Sequence, residues 1–246
     1  MIDKKYLFIG GCGRSGTSVL TQILGSHTQI VLGLERYNKI MKKNFFSLTQ
    51  SHFEKERFIN IREGDTFYND FKKFQHHHNI PEKWDEALIF GVKYPPFERI
   101  YKLMKNAFGN FSYVYIYRNI YDVAESWNDK VRRGGRWKPD KNYLKAVDRW
   151  NNSLKDTLKY IELGENIICL NYEDLLFTQK PINRIFDLFG IKMDQNVENT
   201  LAIARAKAPK KKSKKGKLSP QEFDYVNKNA HIELFHEFNK KYNILS

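Results

Sequence analysis

The residues best suited to chemistry lie near the start of the chain, where residues 9–18 read IGGCGRSGTS directly after an apolar stretch. This order predicts a β-strand, a glycine-rich turn and the first turn of a helix. Such a turn directs several backbone N–H groups to one point, and a helix N-terminus adds partial positive charge there. We therefore predict a phosphate or sulfate site at this turn. Its residues are Gly13, Arg14, Ser15, Gly16, Thr17 and Ser18.

The turn differs at one position from the phosphate loop of nucleotide hydrolases, which reads G-x-x-x-x-G-K-[ST]. Thr17 stands where the lysine belongs, and the positive side chain is Arg14, inside the loop. We expect an oxyanion site that is not a standard Mg-ATP site. A phosphate-loop kinase or nucleotide hydrolase is kept as an alternative. It would need that lysine and an acidic residue for Mg²⁺, whereas the fourth predicted strand ends in Arg118.

A second candidate anion site follows the buried-strand pattern of residues 113–117. Arg118 stands at the end of that strand, and Ser126 comes eight residues later, about two turns into the next helix. The guanidinium offers a forked donor to a phosphate, and the serine adds a hydroxyl from the same side. A third pattern, NYEDL at residues 171–175, follows another apolar run and contains Tyr172.

With these three motifs in this order, the sequence resembles the sulfotransferase superfamily, in motif style its Golgi, tyrosylprotein and bacterial branch. The loop is similar to the family's 5′-phosphosulfate motif, and Arg118 with Ser126 to its 3′-phosphate motif. The resemblance implies 3′-phosphoadenosine 5′-phosphosulfate (PAPS) as donor, 3′-phosphoadenosine 5′-phosphate (PAP) as product, Tyr172 near the adenine, and no metal. The implied reaction is transfer of a sulfuryl group to a hydroxyl or amine.

Three residues are candidates for the reacting centre. Arg14 is placed to neutralise the charge that develops on the leaving phosphate oxygen. Glu35 lies in a segment where the resemblance implies a general base, although it could instead be a helix-start carboxylate paired with Arg36. Lys93 matches the family's K-x-P segment, which implies an approach to the transferring group; the alternative is an exposed lysine at the end of a strand.

A basic tract, KKKSKKGK, occupies residues 210–217. The resemblance implies a basic loop that closes over the 3′-phosphate, with Lys214, Lys215 and Gly216 as candidates, while the alternative is a solvated lysine run. The tract and the net charge of +14 also raise nucleic-acid binding as another function. We disfavour it, because no nucleic-acid module is recognisable and donor binding accounts for much of the charge.

Strands alternating with helices predict a single α/β domain over residues 1–246, with a central parallel sheet flanked by helices on both faces and a P-loop-like nucleotide-binding architecture. The predicted strands are 6–10, 29–33, 88–93, 113–117 and 167–171. We further expect a helical insertion on the acceptor side, a basic loop and a C-terminal helix that begins with a capping box. These segments are residues 36–78, 205–218 and 219–243, respectively.

The remaining expectations concern location and partners. No run of about 18 apolar residues exists, so we expect no membrane span. Because the first apolar run is already a core strand, we also expect a cytoplasmic enzyme without a signal peptide. Cys12 and Cys169 should be buried thiols, and the histidines at 76–78 a solvated loop. The acceptor is open between a sugar, a peptide tyrosine and a small alcohol, with a carbohydrate or hydroxylated metabolite favoured; the oligomeric state is not predicted.

Overall fold

Five parallel strands form the centre of the protein, in the spatial order β2-β3-β1-β4-β5. The computed structural model describes residues 4–67, 80–134, 138–208 and 218–246. The strands are β1 (Lys5–Gly10), β2 (Ile30–Leu34), β3 (Ile89–Lys93), β4 (Ser112–Tyr117) and β5 (Ile167–Asn171). With helices on both faces, the sheet confirms the predicted α/β fold class.

The strands are parallel and almost entirely buried, as expected for a sheet covered on both faces. Every residue of β2 and β3 is buried. In the register of the sheet, Phe8 of β1 lies between Val92 of β3 and Tyr113 of β4. Because all five strands run in one direction, their carboxyl ends meet at a single edge, where ligands bind in open α/β sheets. The glycine-rich turn and Arg118 both follow strands at this edge.

Helices cover both faces of the sheet and enclose two hydrophobic cores, one around Phe97 and Trp150 and the other around Leu20 and Phe186. None of the helices in the described part of the chain is long and apolar enough to cross a membrane. The helices are α1 (Thr17–Gly25), α2 (Lys55–Ile59), α3 (Ile80–Lys83), α4 (Tyr101–Phe108), α5 (Ile120–Arg132), α6 (Tyr143–Glu162), α7 (Tyr172–Phe177), α8 (Lys180–Phe189), α9 (Gln195–Lys207), α10 (Pro220–Asn229) and α11 (Ile232–Glu237).

The segment after β2, where we expected a helical insertion, is organised around a buried arginine. Its described part, residues 36–67, has only short helical pieces: α2 and two 3₁₀ turns. Arg36 is 1% exposed and donates hydrogen bonds to Asp65 Oδ2 at 2.7 Å and to the Phe58 carbonyl at 2.8 Å. A buried charge requires such partners, so the chain folds back on itself here. The rest of the expected insertion, residues 68–78, lies outside the described residues.

The chain after Ser219 forms α10, α11 and a π-helical turn at Phe238–Tyr242, where we expected one helix over 219–243. The capping box is present, with hydrogen bonds in both directions between Ser219 and Glu222. The helix ends early because Asn151 of α6 takes its backbone groups: the Asn151 amide donates to the Asn229 carbonyl at 2.7 Å and its oxygen accepts from the His231 N–H at 2.8 Å.

The expected basic loop, residues 205–218, begins later than we expected. The first residues of this segment belong to α9, which ends at Lys207. The sequence pattern did not predict α9 or α7. Residues 209–217, and with them Lys214, Lys215 and Gly216, lie outside the described part of the structure. The roles assigned to these three residues stay predictions.

Candidate active site

The glycine-rich turn between β1 and α1 presents backbone donors that no other described residue uses. The Ser15 N–H closes the turn by donating to the Cys12 carbonyl at 3.0 Å. Ser15 Oγ is buried and has no hydrogen-bond partner among the described groups. Free N–H groups at a helix N-terminus form an anion site. Among the N–H groups of this turn, those of Gly13, Arg14, Gly16, Thr17 and Ser18 donate no hydrogen bond to any other described residue.

Two site candidates have a strained backbone. Arg14 has φ 78° and Glu35 has φ 55°, and they are the non-glycine residues with positive φ among those described. This conformation costs an L-residue about 1–2 kcal/mol. Such strain persists only where the surrounding structure holds it, and it concentrates at functional sites. Both residues were assigned to the reacting centre from the sequence.

The first two motifs are in direct contact. Arg14 Nε donates a hydrogen bond to Ser126 Oγ at 2.9 Å. One residue further along α5, the Trp127 indole N–H donates to the Gly13 carbonyl at 2.9 Å. Burial, and then the positive charge of Arg118, lowers the pKa of Arg14. The loop is therefore fastened to α5, and the two arginines lie close enough to influence each other.

The third motif lies against the other two. Arg118 Cζ is 4.3 Å from the ring centroid of Tyr172. A Cβ on Gly16 would lie 2.2 Å from Tyr172 Cδ2, so only glycine lets this ring approach the loop. Arg118 is oriented by two carboxylates, since its Nη2 donates to Asp122 at 3.2 Å and its Nε lies 3.6 Å from Glu173 Oε1. The structure thus brings Arg14, Arg118 and Tyr172 close together at the carboxyl edge of the sheet.

Glu35 and Lys93 form an ion pair through Glu35 Oε1 and Lys93 Nζ. The lysine side chain is 3% exposed and the glutamate side chain 19%. Burial lowers the pKa of Lys93, and the adjacent carboxylate opposes this shift. Asn38 donates to Glu35 Oε2 at 3.2 Å, which orients the carboxylate. The alternative of an exposed lysine at the strand end is wrong. Arg36, the other partner considered for Glu35, forms an ion pair with Asp65.

Glu35, Lys93 and Asn38 line a cavity of about 490 Å³ together with the glycine-rich turn. The loop residues from Gly11 to Arg14 form one wall, and Glu35, Lys93 and Phe67 form another. Arg14 therefore borders this cavity and also reaches Ser126. Sequence reasoning did not identify Asn38 or Trp127, whose contacts depend on the folded chain.

The remaining predictions concern the two cysteines, metal ligands and the histidines at 76–78. Cys12 and Cys169 are both buried free thiols, as expected. Within the described ranges, no group of three or more His, Cys, Asp or Glu side chains is arranged to hold a metal ion. The histidines at 76–78 lie outside those ranges.

The family model for the sulfotransferase family matches residues 7–195. The chain belongs to the sulfotransferase family. This match includes all three motifs and confirms the resemblance on which the site assignment was based. Family membership makes the protein a transferase. No curated protein matches the sequence of this sulfotransferase.

Solved sulfotransferase structures share the fold over nearly the whole chain. The sulfotransferase domain of the Synechococcus PCC 7002 olefin synthase has a TM-score of 0.55 at 14% identity, covering 97% of this chain and 95% of that one. The sulfotransferase domain of the curacin biosynthetic pathway has 0.54 at 16% identity, covering 98% and 92%. Sulfotransferase STF9 of Mycobacterium avium has 0.54 at 9%, covering 96% and 77%. At such identities the likeness establishes a common fold.

Proposed function

We propose that this sulfotransferase transfers a sulfuryl group from PAPS to a hydroxyl or amine of a small-molecule, carbohydrate or peptide acceptor and releases PAP. The observation that supports the proposal most is the 2.9 Å hydrogen bond from Arg14 Nε to Ser126 Oγ. It joins the loop motif to the motif that begins at Arg118. The cationic groups that we assign to the two anionic ends of a single nucleotide therefore belong to motifs that are in contact.

The hydrogen-bond donors of these motifs suit phosphate and sulfate oxygens. At the loop, the five N–H groups named above and the buried Ser15 Oγ, which have no hydrogen-bond acceptor among the described residues, can all donate to an anion. At the other end, Arg118 Nε is buried and has no hydrogen-bond partner among the described groups. We assign the loop to the 5′-phosphosulfate, Arg118 with Ser126 to the 3′-phosphate, and Tyr172 to the adenine. Lys214, Lys215 and Gly216 are proposed to close over the 3′-phosphate.

Bound PAPS supplies a sulfuryl group whose bond to the 5′-phosphate oxygen breaks as an acceptor oxygen takes its place. Glu35 acts as the general base and receives the acceptor proton on Oε2, while Lys93 holds Oε1 and keeps the carboxylate oriented. Arg14 and the loop N–H groups stabilise the negative charge on the departing phosphate oxygen. Positioning and charge stabilisation of this kind account for most of the catalysis in related group transfers.

Titration calorimetry with PAP tests the donor assignment. We expect Arg118→Ala to weaken PAP binding about 10- to 100-fold, because a hydrogen bond to a charged group contributes about 1.5–3 kcal/mol. The matched control is Arg184→Ala, which removes an exposed arginine of α8 and should leave the affinity unchanged. Equal affinity of Arg118→Ala and the parent would remove the 3′-phosphate assignment. Tighter binding of Mg-ATP than of PAP would favour the nucleotide-hydrolase alternative.

A further inference from the structure

The cavity beside Glu35 has a cationic wall that the proposed chemistry does not use. Lys42, Lys130 and Arg149 line it, in addition to the two cations already described. They come from three separate parts of the chain: the segment after β2, the last turn of α5 and the first half of α6. Only the folded chain brings them together.

No carboxylate of the described part of the chain neutralises these three cations. None of them forms an ion pair with a carboxylate in the described ranges. Lys42 Nζ instead lies 4.5 Å from the ring centroid of Phe67. Asp129, which precedes Lys130, is paired with Arg132 at 2.5 Å. A concentration of like charge in a recess raises the local concentration of anions.

The carboxyl groups of the cavity wall do not cancel this charge. Glu35 is already paired with Lys93. Glu98 also lines the cavity and is 4% exposed. Burial raises the pKa of Glu98 to about 8, so its carboxyl group is mostly protonated at pH 7. The wall therefore keeps an excess of positive charge at neutral pH.

The position of the three cations relative to the residues assigned to the donor points to the acceptor. The cavity contains Glu35 and Lys93, the groups of the acceptor side. Arg118, Ser126 and Tyr172, which we assign to the nucleoside end of the donor, do not line it. An anion held by Lys42, Lys130 and Arg149 would therefore lie in the same cavity as the proposed base.

We propose that the acceptor is a small molecule with an anionic group of its own, a phosphate or a carboxylate, bound by Lys42, Lys130 and Arg149 while its hydroxyl faces Glu35. This inference rests on the proposed sulfuryl transfer. The cavity volume of about 490 Å³ falls in the range of small-molecule sites, roughly 300–1,000 Å³. It suits a phosphorylated or carboxylated sugar or alcohol better than a protein segment.

Binding to the PAP complex of the intact protein tests the inference with matched pairs. The pairs are D-glucose with D-glucose 6-phosphate, D-glucose with D-glucuronate, and glycerol with glycerol 3-phosphate. We expect the anionic member of each pair to bind at least about tenfold more tightly. In an assay with labelled PAPS, we expect transfer of the label to anionic members. The inference is wrong if the two members bind equally, if neither binds, or if only an acidic tyrosine peptide is sulfated.

Variants then identify the groups responsible. Lys42→Gln, Lys130→Gln and Arg149→Gln should each raise the KM of the anionic acceptor about tenfold and leave kcat and PAP affinity unchanged. The control is Lys145→Gln, an exposed lysine on α6 that pairs with Asp148. A loss of PAP affinity in the three variants would show that they serve the donor and would overturn this inference while leaving the proposed function intact. Failure of the Arg118→Ala test would remove the proposed function itself.

Discussion

Replacing Arg14 with glycine and, separately, with alanine should separate the role of its backbone from that of its side chain. At φ 78° the left-handed conformation costs alanine about 1–2 kcal/mol, and glycine avoids this cost. Glycine loses about 0.4–1 kcal/mol more chain entropy on folding. We therefore expect Arg14→Gly to be more stable than Arg14→Ala by about 0.5–1 kcal/mol.

Both variants lose the hydrogen bond to Ser126, which contributes about 0.5–1.5 kcal/mol. In the glycine variant the relief of strain offsets most of this loss, so its stability should stay within about 1 kcal/mol of the parent. For a chain of 246 residues, 1 kcal/mol corresponds to about 2–4 °C in Tm. Arg14→Gly should therefore melt about 1–4 °C above Arg14→Ala.

The function of the two variants should change together although their stability differs. Both lose the guanidinium, so PAP affinity should fall about 10- to 100-fold in calorimetry, and turnover of an identified acceptor by about 10²–10³. Arg14→Lys is the control that keeps the charge without the forked donor. Equal melting of the glycine and alanine variants would refute the strain argument, and undiminished PAP binding would refute the role of the side chain.

Three further predictions concern residues around the same edge. Gly16→Ala should destabilise the protein by about 2 kcal/mol or more in urea unfolding, since its Cβ would lie 2.2 Å from the Tyr172 ring; a neutral effect would mean that the ring moves freely. Glu35→Gln should lower turnover about 10²–10⁴-fold and leave Lys93 buried without its counter-ion. The pKa of Lys93 in the folded variant then lies further below its value in the unfolded chain, so the unfolded chain binds more protons than the folded one. The loss of stability relative to the parent should therefore shrink as the pH rises from about 7 to 9. A loss that does not depend on pH would contradict this. Asp65→Asn should cost about 3–5 kcal/mol in the same unfolding assay, because it removes the carboxylate charge to which the buried Arg36 donates, and a loss below about 1 kcal/mol would show that the network is dispensable.

Much of the fold could be predicted because its signals are local. A run of β-branched and aromatic residues specifies a buried strand, and the strand predicted at 6–10 is found at Lys5–Gly10. The capping box at Ser219 correctly located the start of α10. Its end could not be predicted, because the group that stops the helix is Asn151 on another helix. α9 was missed for a similar reason, since its buried residues are only Val197 and Leu201, which pack against other elements.

By itself, the sequence determined the chemical types of the site and the local backbone that holds them: the glycine-rich turn, the two arginines and the order of the five strands along the chain. Only the tertiary structure decided which of these groups meet. Arg14 and Ser126 are 112 residues apart, and Glu35 and Lys93 are 58 apart. Their contacts depend on the strand order β2-β3-β1-β4-β5, which places sequence-distant strand ends side by side. That order is selected by burial of the whole sheet between two layers of helices, an energy that no short segment contains.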